Sequence, residues 1–231
     1  DKDFINILNN IRSGNINDND LFILNNRIVN ESLDIPSETI ILSPTNKRVD
    51  TINNVNLQNI NSETFSYESS ETGDFKEKPA DEILELKVGA QVMLIKNDLK
   101  SPKRWVNGSI GIRTPLTEHS MHFNIKNKIY KLTQDTWEKF DYLIKDGQVM
   151  HEVVATFTQY PIKLAWAVTI HKSQGQTFEK AVIDLDKGSF APGQTYVALS
   201  RVTSLDGLFL TRAINISDVV FDQNIEDYFS G

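Results

Sequence analysis

The hydrophobic period of this chain changes twice, and that constrains its architecture more than any single residue does. At the start, Phe4, Ile7, Leu8 and Ile11 recur at helical spacing, and Gly14 ends the run. Asp18 or Asn19 can cap a second helix carrying Leu21, Leu24 and Ile28. Thr39-Ile40-Ile41-Leu42 then reads as a short buried strand and Ser43-Pro44-Thr45-Asn46 as a turn. A helix with Val49, Ile52 and Val55 inward follows. Strand, polar turn and helix in that order place free backbone N–H groups at the carboxyl edge of a sheet.

The stretch from Ser62 to Asp81 is acidic, carries few apolar residues and predicts a linker or mobile loop. Beyond it the period shortens. Val88, Val92, Met93, Leu94 and Ile95 suggest a strand. Asn107-Gly108 followed by Ile110-Gly111-Ile112 suggests a turn into another. Phe123, Ile125, Ile129 and Tyr130 suggest a hairpin with Asn127 in its turn. Val149 to Phe157 gives one more strand, whereas Trp137 to Ile144 is apolar without a clear period. Short strands with glycine turns fit a small β-barrel inserted between two α/β halves.

After Pro161 the α/β pattern returns. Ala165 to Gln174 predicts a helix ended by Gly175, and Ala181 to Leu185 a buried strand. Gln194 to Val202 predicts a second short helix. Leu208-Phe209-Leu210 predicts a strand entered through the Asp206-Gly207 turn.

Composition narrows the function classes. The chain of 231 residues has no cysteine, which excludes disulfides and cysteine-ligated zinc and suits an intracellular protein. Neither a signal peptide nor an apolar run long enough to span a bilayer is found within these residues. The net charge of −7 argues against a non-specific nucleic-acid binder, but it averages two opposed blocks. Asn61 to Glu85 holds eight acids against two lysines, and Lys87 to Lys131 holds nine Lys/Arg against two acids. A basic block in an acidic chain is a local signal that the mean hides, although solvated strand faces produce it too.

Several groups of residues suit phosphate chemistry, each beside a plainer reading. His171-Lys172-Ser173-Gln174-Gly175-Gln176-Thr177 supplies donors for phosphate oxygens and a glycine that permits close approach; it reads equally as a capped helix end. Arg201 stands alone in an otherwise uncharged short helix and suits stabilisation of a transferring phosphoryl group, or a surface salt bridge. Lys96, Lys100, Lys103 and Arg104 surround Trp105, which reads either as a stacking platform or as barrel core. His119 and His122 have a three-residue spacing that could hold a metal on a helix, but the segment reads as strand or loop with no cysteine and no paired acid nearby, so no metal ligand is assigned. No G-x-x-x-x-G-K-[ST] string occurs, so these residues alone lack a phosphate-binding P-loop. Asp81-Glu82-Ile83-Leu84 resembles a magnesium motif but follows no apolar strand, and reads as a chance match.

Taken together, these strings resemble the Pif-type and RecD-like 5′–3′ DNA helicases of superfamily 1. QYPIKLAWAVTIHKSQGQTFEKAVIDL is similar to their motif V, GQTYVALSRVTSLDGLFL to motif VI, and IILSPTNKRVDTIN to the motif IV region. KVGAQVMLIKND followed by RWVNGSIG resembles the small SH3-like barrel inserted in their second motor domain. The match runs in family order over most of the chain; residues 62–81 and 132–150 match least.

The resemblance implies an α/β fold: a RecA-like second motor domain over residues 1–64 and 159–231, with an SH3-like β-barrel and acidic linker over 65–158. It implies the C-terminal half of an ATP-dependent helicase that uses ATP with Mg2+. The P-loop and magnesium ligands are expected on an N-terminal RecA-like domain of the same protein, and this half alone is expected to be inactive. Arg201 then matches the arginine finger, and Gly175, Gln176 and Gln194 face the nucleotide. Thr45, Asn46, Thr169, His171 and Lys172 lie on the DNA track, with Lys96, Arg104 and Trp105 in the barrel beside it. The expected partner is single-stranded DNA and the expected state a monomer inside the cell, in DNA repair or recombination. A catalytically silent single-stranded-DNA-binding module with the same fold is the alternative.

Overall fold

The structure is a computed structural model, and it describes residues 1–29, 36, 38–117, 120–145, 148–185 and 193–219. In chain order the elements are α1 (Lys2–Arg12), α2 (Asp18–Asn25), β1 (Ile40–Ser43), α3 (Asn46–Asn59), β2 (Thr64–Glu68), β3 (Ser70–Thr72), β4 (Ile83–Lys87) and β5 (Gln91–Leu94). Then follow β6 (Ile110–Thr117), β7 (Ser120–Ile125), β8 (Lys128–Leu132), β9 (Asp135–Lys145), β10 (Gln148–Gln159), β11 (Ile162–Leu164) and β12 (Ala167–Thr169). The last are β13 (Ala181–Ile183), α4 (Gln194–Leu199) and β14 (Leu208–Leu210). They divide into two compact units, Asp1–Val55 with Trp166–Gly231, and Asn56–Ala165.

The first unit is built on a parallel sheet in the order β12-β1-β13-β14. Its strands are short, apolar and almost wholly buried, as parallel strands covered on both faces must be. Asp1 caps α1 through the Phe4 N–H and also accepts the Leu205 N–H at 2.9 Å, so one carboxylate ties two segments together. Asn17 and Asp20 form a reciprocal capping box on α2. The expected inward face of α3 is rotated: Val49, Asn53 and Leu57 are buried, Ile52 is half-buried and Val55 is 52% exposed. The reason is Asn53. Its carboxamide donates to the Ala167 carbonyl at 3.0 Å and accepts the Ala167 N–H at 2.8 Å. Ala167 lies on β12, the end strand of the sheet, so a side chain supplies the ladder bonds that a further strand would make.

The helix predicted over Ala165 to Gln174 is corrected. β12 occupies its centre, pairing Ala167 with Ile41 and Thr169 with Ser43, and only His171–Ser173 make a single 3-10 turn. An apolar run does not distinguish buried helix from buried strand, and the β-branched Val168 and Thr169 favour the pleated form.

The second unit is antiparallel, with a five-stranded sheet β11-β5-β6-β7-β8, a three-stranded sheet β3-β10-β9 and the pair β2-β4. The linker expected at 62–81 is also corrected: β2 and β3 lie within it. Phe65 and Tyr67 alternate with exposed neighbours along β2, so only one face carries apolar groups and the segment looks polar in composition. Pairing of β2 with β4 and of β11 with β5 places residues 56–64 and 159–165 in this unit. The β7–β8 hairpin has the predicted turn: Lys126 and Asn127 both have positive φ, 48° and 62°, as a two-residue type I′ turn requires.

The β9–β10 hairpin carries a bulge between Val153 and Ala155. Below it, Ala155 and Phe157 are buried, with Trp137 against Phe157. Above it, Val153 stands opposite Phe140 and His151 opposite Tyr142, and all four are exposed. The extra residue thus moves the apolar side of the ribbon from one face to the other.

Candidate functional site

Strands β1, β12 and β13 run parallel, so their carboxyl ends share one edge of the sheet. Thr45 follows β1 and caps α3: its hydroxyl accepts the Arg48 N–H at 3.3 Å and its carbonyl the Val49 N–H at 3.2 Å. Asn46 is the exposed first residue of that helix. Asp184 follows β13, is 3% exposed, and holds Arg48 Nε at 2.9 Å and the Thr211 hydroxyl at 3.4 Å. This anchor of α3 was not foreseen, because Arg48 and Asp184 lie 136 positions apart.

β12 delivers Thr169 to the same edge. Its hydroxyl is buried and accepts the Lys172 N–H at 3.2 Å, so it shapes the turn, while His171 and Lys172 are exposed. Ser173, fully buried, donates to the Ile170 carbonyl at 2.7 Å. A second turn follows at once: Gln174 has φ −58° and ψ 136°, Gly175 has φ +77°, and the Gln176 N–H reaches the Ser173 carbonyl at 3.0 Å. That is a type II turn, whose third position favours glycine. A Cβ on Gly175 would meet no atom within 4 Å, so its outer side is open. Gln176 Oε1 is buried and has no hydrogen-bond partner among the described residues.

The chain then crosses back, and Phe178 forms a parallel bridge with Val202 just ahead of β13 and β14. Phe178 N–H donates to the Arg201 carbonyl at 2.8 Å, and Thr203 N–H to the Phe178 carbonyl at 3.2 Å. The Arg201 guanidinium donates to the carbonyls of Val197 at 3.0 Å and Gln176 at 3.3 Å and to the Ser200 hydroxyl at 2.9 Å. These acceptors are all neutral, and among the described residues no carboxylate pairs with it. Gln194, half-buried, opens α4. The helix is fastened at its second residue, where the Thr195 hydroxyl donates to the Asp218 carbonyl, and Asp218 is gripped by Arg212 at 2.7 and 2.8 Å. Arg212 and Asp218 were missed; the Asn215-Ile216-Ser217-Asp218 capping box was the local signal available.

Lys96, Arg104 and Trp105 belong to the second unit and are largely occupied within it. Lys96 Nζ pairs with Asp135 at 2.8 Å, donates to the Thr136 carbonyl at 3.1 Å and sits 5.0 Å from the Trp137 ring centre. Arg104 makes a two-point ion pair with Asp98 at 2.6 and 2.8 Å and covers the Trp105 ring at 4.2 Å. Trp105 is 8% exposed and meets Tyr130 edge-on. The Arg104 guanidinium holds the Asp98 carboxyl well below the usual carboxylate range. His119 lies outside the described residues. His122 is on β7, and among the described residues no group of three or more His, Asp or Glu could hold a metal ion.

The first unit thus sets, on a parallel α/β sheet, a glycine turn beside Arg201, which lies two residues beyond the end of α4. The chain belongs to the Pif1-type helicases. It is 30% identical to the ATP-dependent DNA helicase Pif1 of Bdellovibrio bacteriovorus, over 98% of this chain and 50% of that protein. It is equally identical to the Campylobacter jejuni Pif1, over 98% and 56%. Unliganded Pif1 from Bacteroides sp superposes with a TM-score of 0.89 at 33% identity, covering 100% of this chain and 54% of that one. Bacteroides Pif1 bound to single-stranded DNA superposes at 0.72 with 34% identity, covering 100% and 53%. The chain therefore spans about half the length of the relatives it matches. No family model matches it. No described helix is long and apolar enough to cross a membrane.

Proposed function

We propose that this chain is the C-terminal half of an ATP-dependent 5′–3′ DNA helicase. The unit Asp1–Val55 with Trp166–Gly231 is its second RecA-like motor domain, and Asn56–Ala165 is an inserted SH3-like barrel. The observation that carries the reading is Arg201, whose guanidinium rests on neutral acceptors beside the Gln176 turn and can leave them without breaking an ion pair. An arginine finger needs that freedom: it is held in place yet uncommitted in charge.

The surroundings fit a nucleotide. Gly175 is open on its outer side, and the buried Gln176 Oε1 lacks a donor that a hydroxyl or amine of a ligand can provide. ATP with Mg2+ supplies the phosphoryl group to be transferred, and its P-loop and magnesium ligands lie on an N-terminal RecA-like partner domain. Arg201 stabilises charge developing on that group. Gly175, Gln176 and Gln194 line the nucleotide side. Thr45, Asn46, His171 and Lys172 hold DNA phosphates, with Thr169 setting the turn that presents the last two. Gly175 lies within four residues of His171, so one short segment touches both ligands and couples them. The helicase acts as a monomer inside the cell.

The test is Arg201→Ala in the complete protein. Hydrolysis of ATP is expected to fall by about 10³–10⁵-fold with single-stranded DNA affinity retained. Normal hydrolysis with lost DNA binding overturns the assignment. A complete protein that binds single-stranded DNA and never hydrolyses ATP supports instead a silent DNA-binding module.

A further inference from the structure

Strand β9 is an end strand of its sheet, which runs β3-β10-β9. In an antiparallel pair alternate residues bond the neighbouring strand, and those between turn their main-chain groups away. Three contacts identify the outward set on β9. The Thr136 N–H is held at 2.8 Å by the Asp135 side chain, the Tyr142 N–H at 2.9 Å by the Asp141 side chain, and the Thr136 carbonyl takes Lys96 Nζ at 3.1 Å. Thr136, Glu138, Phe140 and Tyr142 therefore turn their main-chain groups outward, and no other described strand pairs with them there. The bulge lies on β10, so β9 itself alternates without a break. An edge of this length is a template for another strand.

The residues along the edge select that strand. About Phe140 the charges are self-complementary, with Lys139 on one side and Asp141 on the other. When a second β9 runs antiparallel with its Phe140 opposite this one, each Lys139 stands opposite the partner's Asp141. These are non-hydrogen-bonded positions, where facing side chains come closest and opposite charges attract. The Tyr142 N–H then passes from Asp141 to the partner's Glu138 carbonyl, which frees Asp141 for the lysine. Centring the pairing on Lys139 or on Asp141 instead sets that residue against its own copy, and like charges directly opposite repel. Lys139 and Asp141 are both exposed, and Lys139 Nζ donates to the neutral Asp74 carbonyl at 3.3 Å. Phe140, 40% exposed, meets its own copy at the centre.

We propose that the β9 edge from Trp137 to Leu143 is a self-pairing surface, to which a second copy of this protein adds its own β9 about a two-fold axis at Phe140. Such an interface presents the same patch on both sides and closes on itself, so it makes pairs and not fibres. One strand pair is a small interface. The single molecule therefore remains the dilute working state, and pairing belongs to molecules held close together. The proposal does not depend on the helicase reading.

The test is sedimentation equilibrium of the complete protein without nucleotide or DNA. The average mass is expected to rise above that of one molecule over a range from about 1 to about 100 μM. Lys139→Glu sets two acids opposite each other at both ends of the pair, and Asp141→Lys sets two lysines there. Each change alone is expected to weaken pairing about tenfold. An equal mixture of the two variants, and the variant carrying both changes, put opposite charges back in register and are expected to pair as the unaltered protein does. Both altered side chains are exposed, so circular dichroism in urea is expected to give one midpoint for the unaltered protein and the three variants. An unaltered protein that stays at the mass of one molecule overturns the proposal, as do single variants that pair as well as it does. So does a mixture or double variant that pairs no better than the single changes, which moves the association to another face. None of these outcomes touches the Arg201 test.

Discussion

The carboxamide of Asn53 closes a two-point hydrogen bond with the main chain of Ala167, donating at 3.0 Å and accepting at 2.8 Å. Asn53→Ala strands a buried N–H and a buried carbonyl on β12. A stability loss of about 2–4 kcal/mol is expected. Asn53→Asp keeps the acceptor but sets a buried carboxylate oxygen against the Ala167 carbonyl, and is expected to cost at least as much as Asn53→Ala at neutral pH. Urea unfolding followed by circular dichroism checks the order, with the slope expected to be unchanged. A fully stable Asn53→Ala variant shows that the strand edge needs no cover.

Two glycines separate backbone strain from lack of space. Gly175→Ala meets no neighbour but forces a side chain to φ +77°, and is expected to cost about 1 kcal/mol. In Gly207→Ala the new methyl falls on the Glu179 carbonyl and against Val202, so the main chain must move; about 3 kcal/mol is expected. Thermal unfolding of the two variants in parallel is the check, and equal costs contradict the distinction.

Asp98 makes stability depend on acid. Its carboxyl is held below the ordinary range by Arg104, so it contributes stability at pH values above the unfolded value of about 4. That contribution is lost as the pH falls from there toward the depressed folded value. The fall in urea midpoint between about pH 6 and about pH 3 is therefore expected to be steeper for the unaltered chain than for Asp98→Asn. Parallel profiles argue that the ion pair carries no net linkage.

The β7–β8 turn offers a stabilising change. Lys126 and Asn127 both occupy the left-handed region, which lysine tolerates poorly. Lys126→Asn with Asn127→Gly supplies the pair that type I′ turns favour. A gain of about 1 kcal/mol in urea unfolding is expected.

Local chemistry was the legible part of this chain. The strand, turn and helix around Thr45 and the Asn127 hairpin follow from period and turn residues within a few positions of each other. Features that depend on distant partners were not legible. Val55 looked inward because the α3 period ignores Asn53, whose partner lies 114 residues away. Ala165 to Gln174 looked helical because a buried strand and a buried helix share one apolar signature. The motif strings place Gln176 and Arg201 in separate blocks, and only the fold shows the guanidinium 3.3 Å from the Gln176 carbonyl. The opposite lesson comes from Arg104 and Trp105: residue types suited to DNA are engaged in holding a loop rigid.

The bulge in the β9–β10 hairpin leaves an apolar face open to water. Above it the ribbon turns Phe140, Tyr142, Val149 and Val153 outward, with exposures of 40% to 71%. Two molecules can bury those faces against each other without disturbing either core. That face is expected to limit the concentration at which the isolated chain stays dispersed, and polar residues at Tyr142 and Val149 are expected to raise the limit.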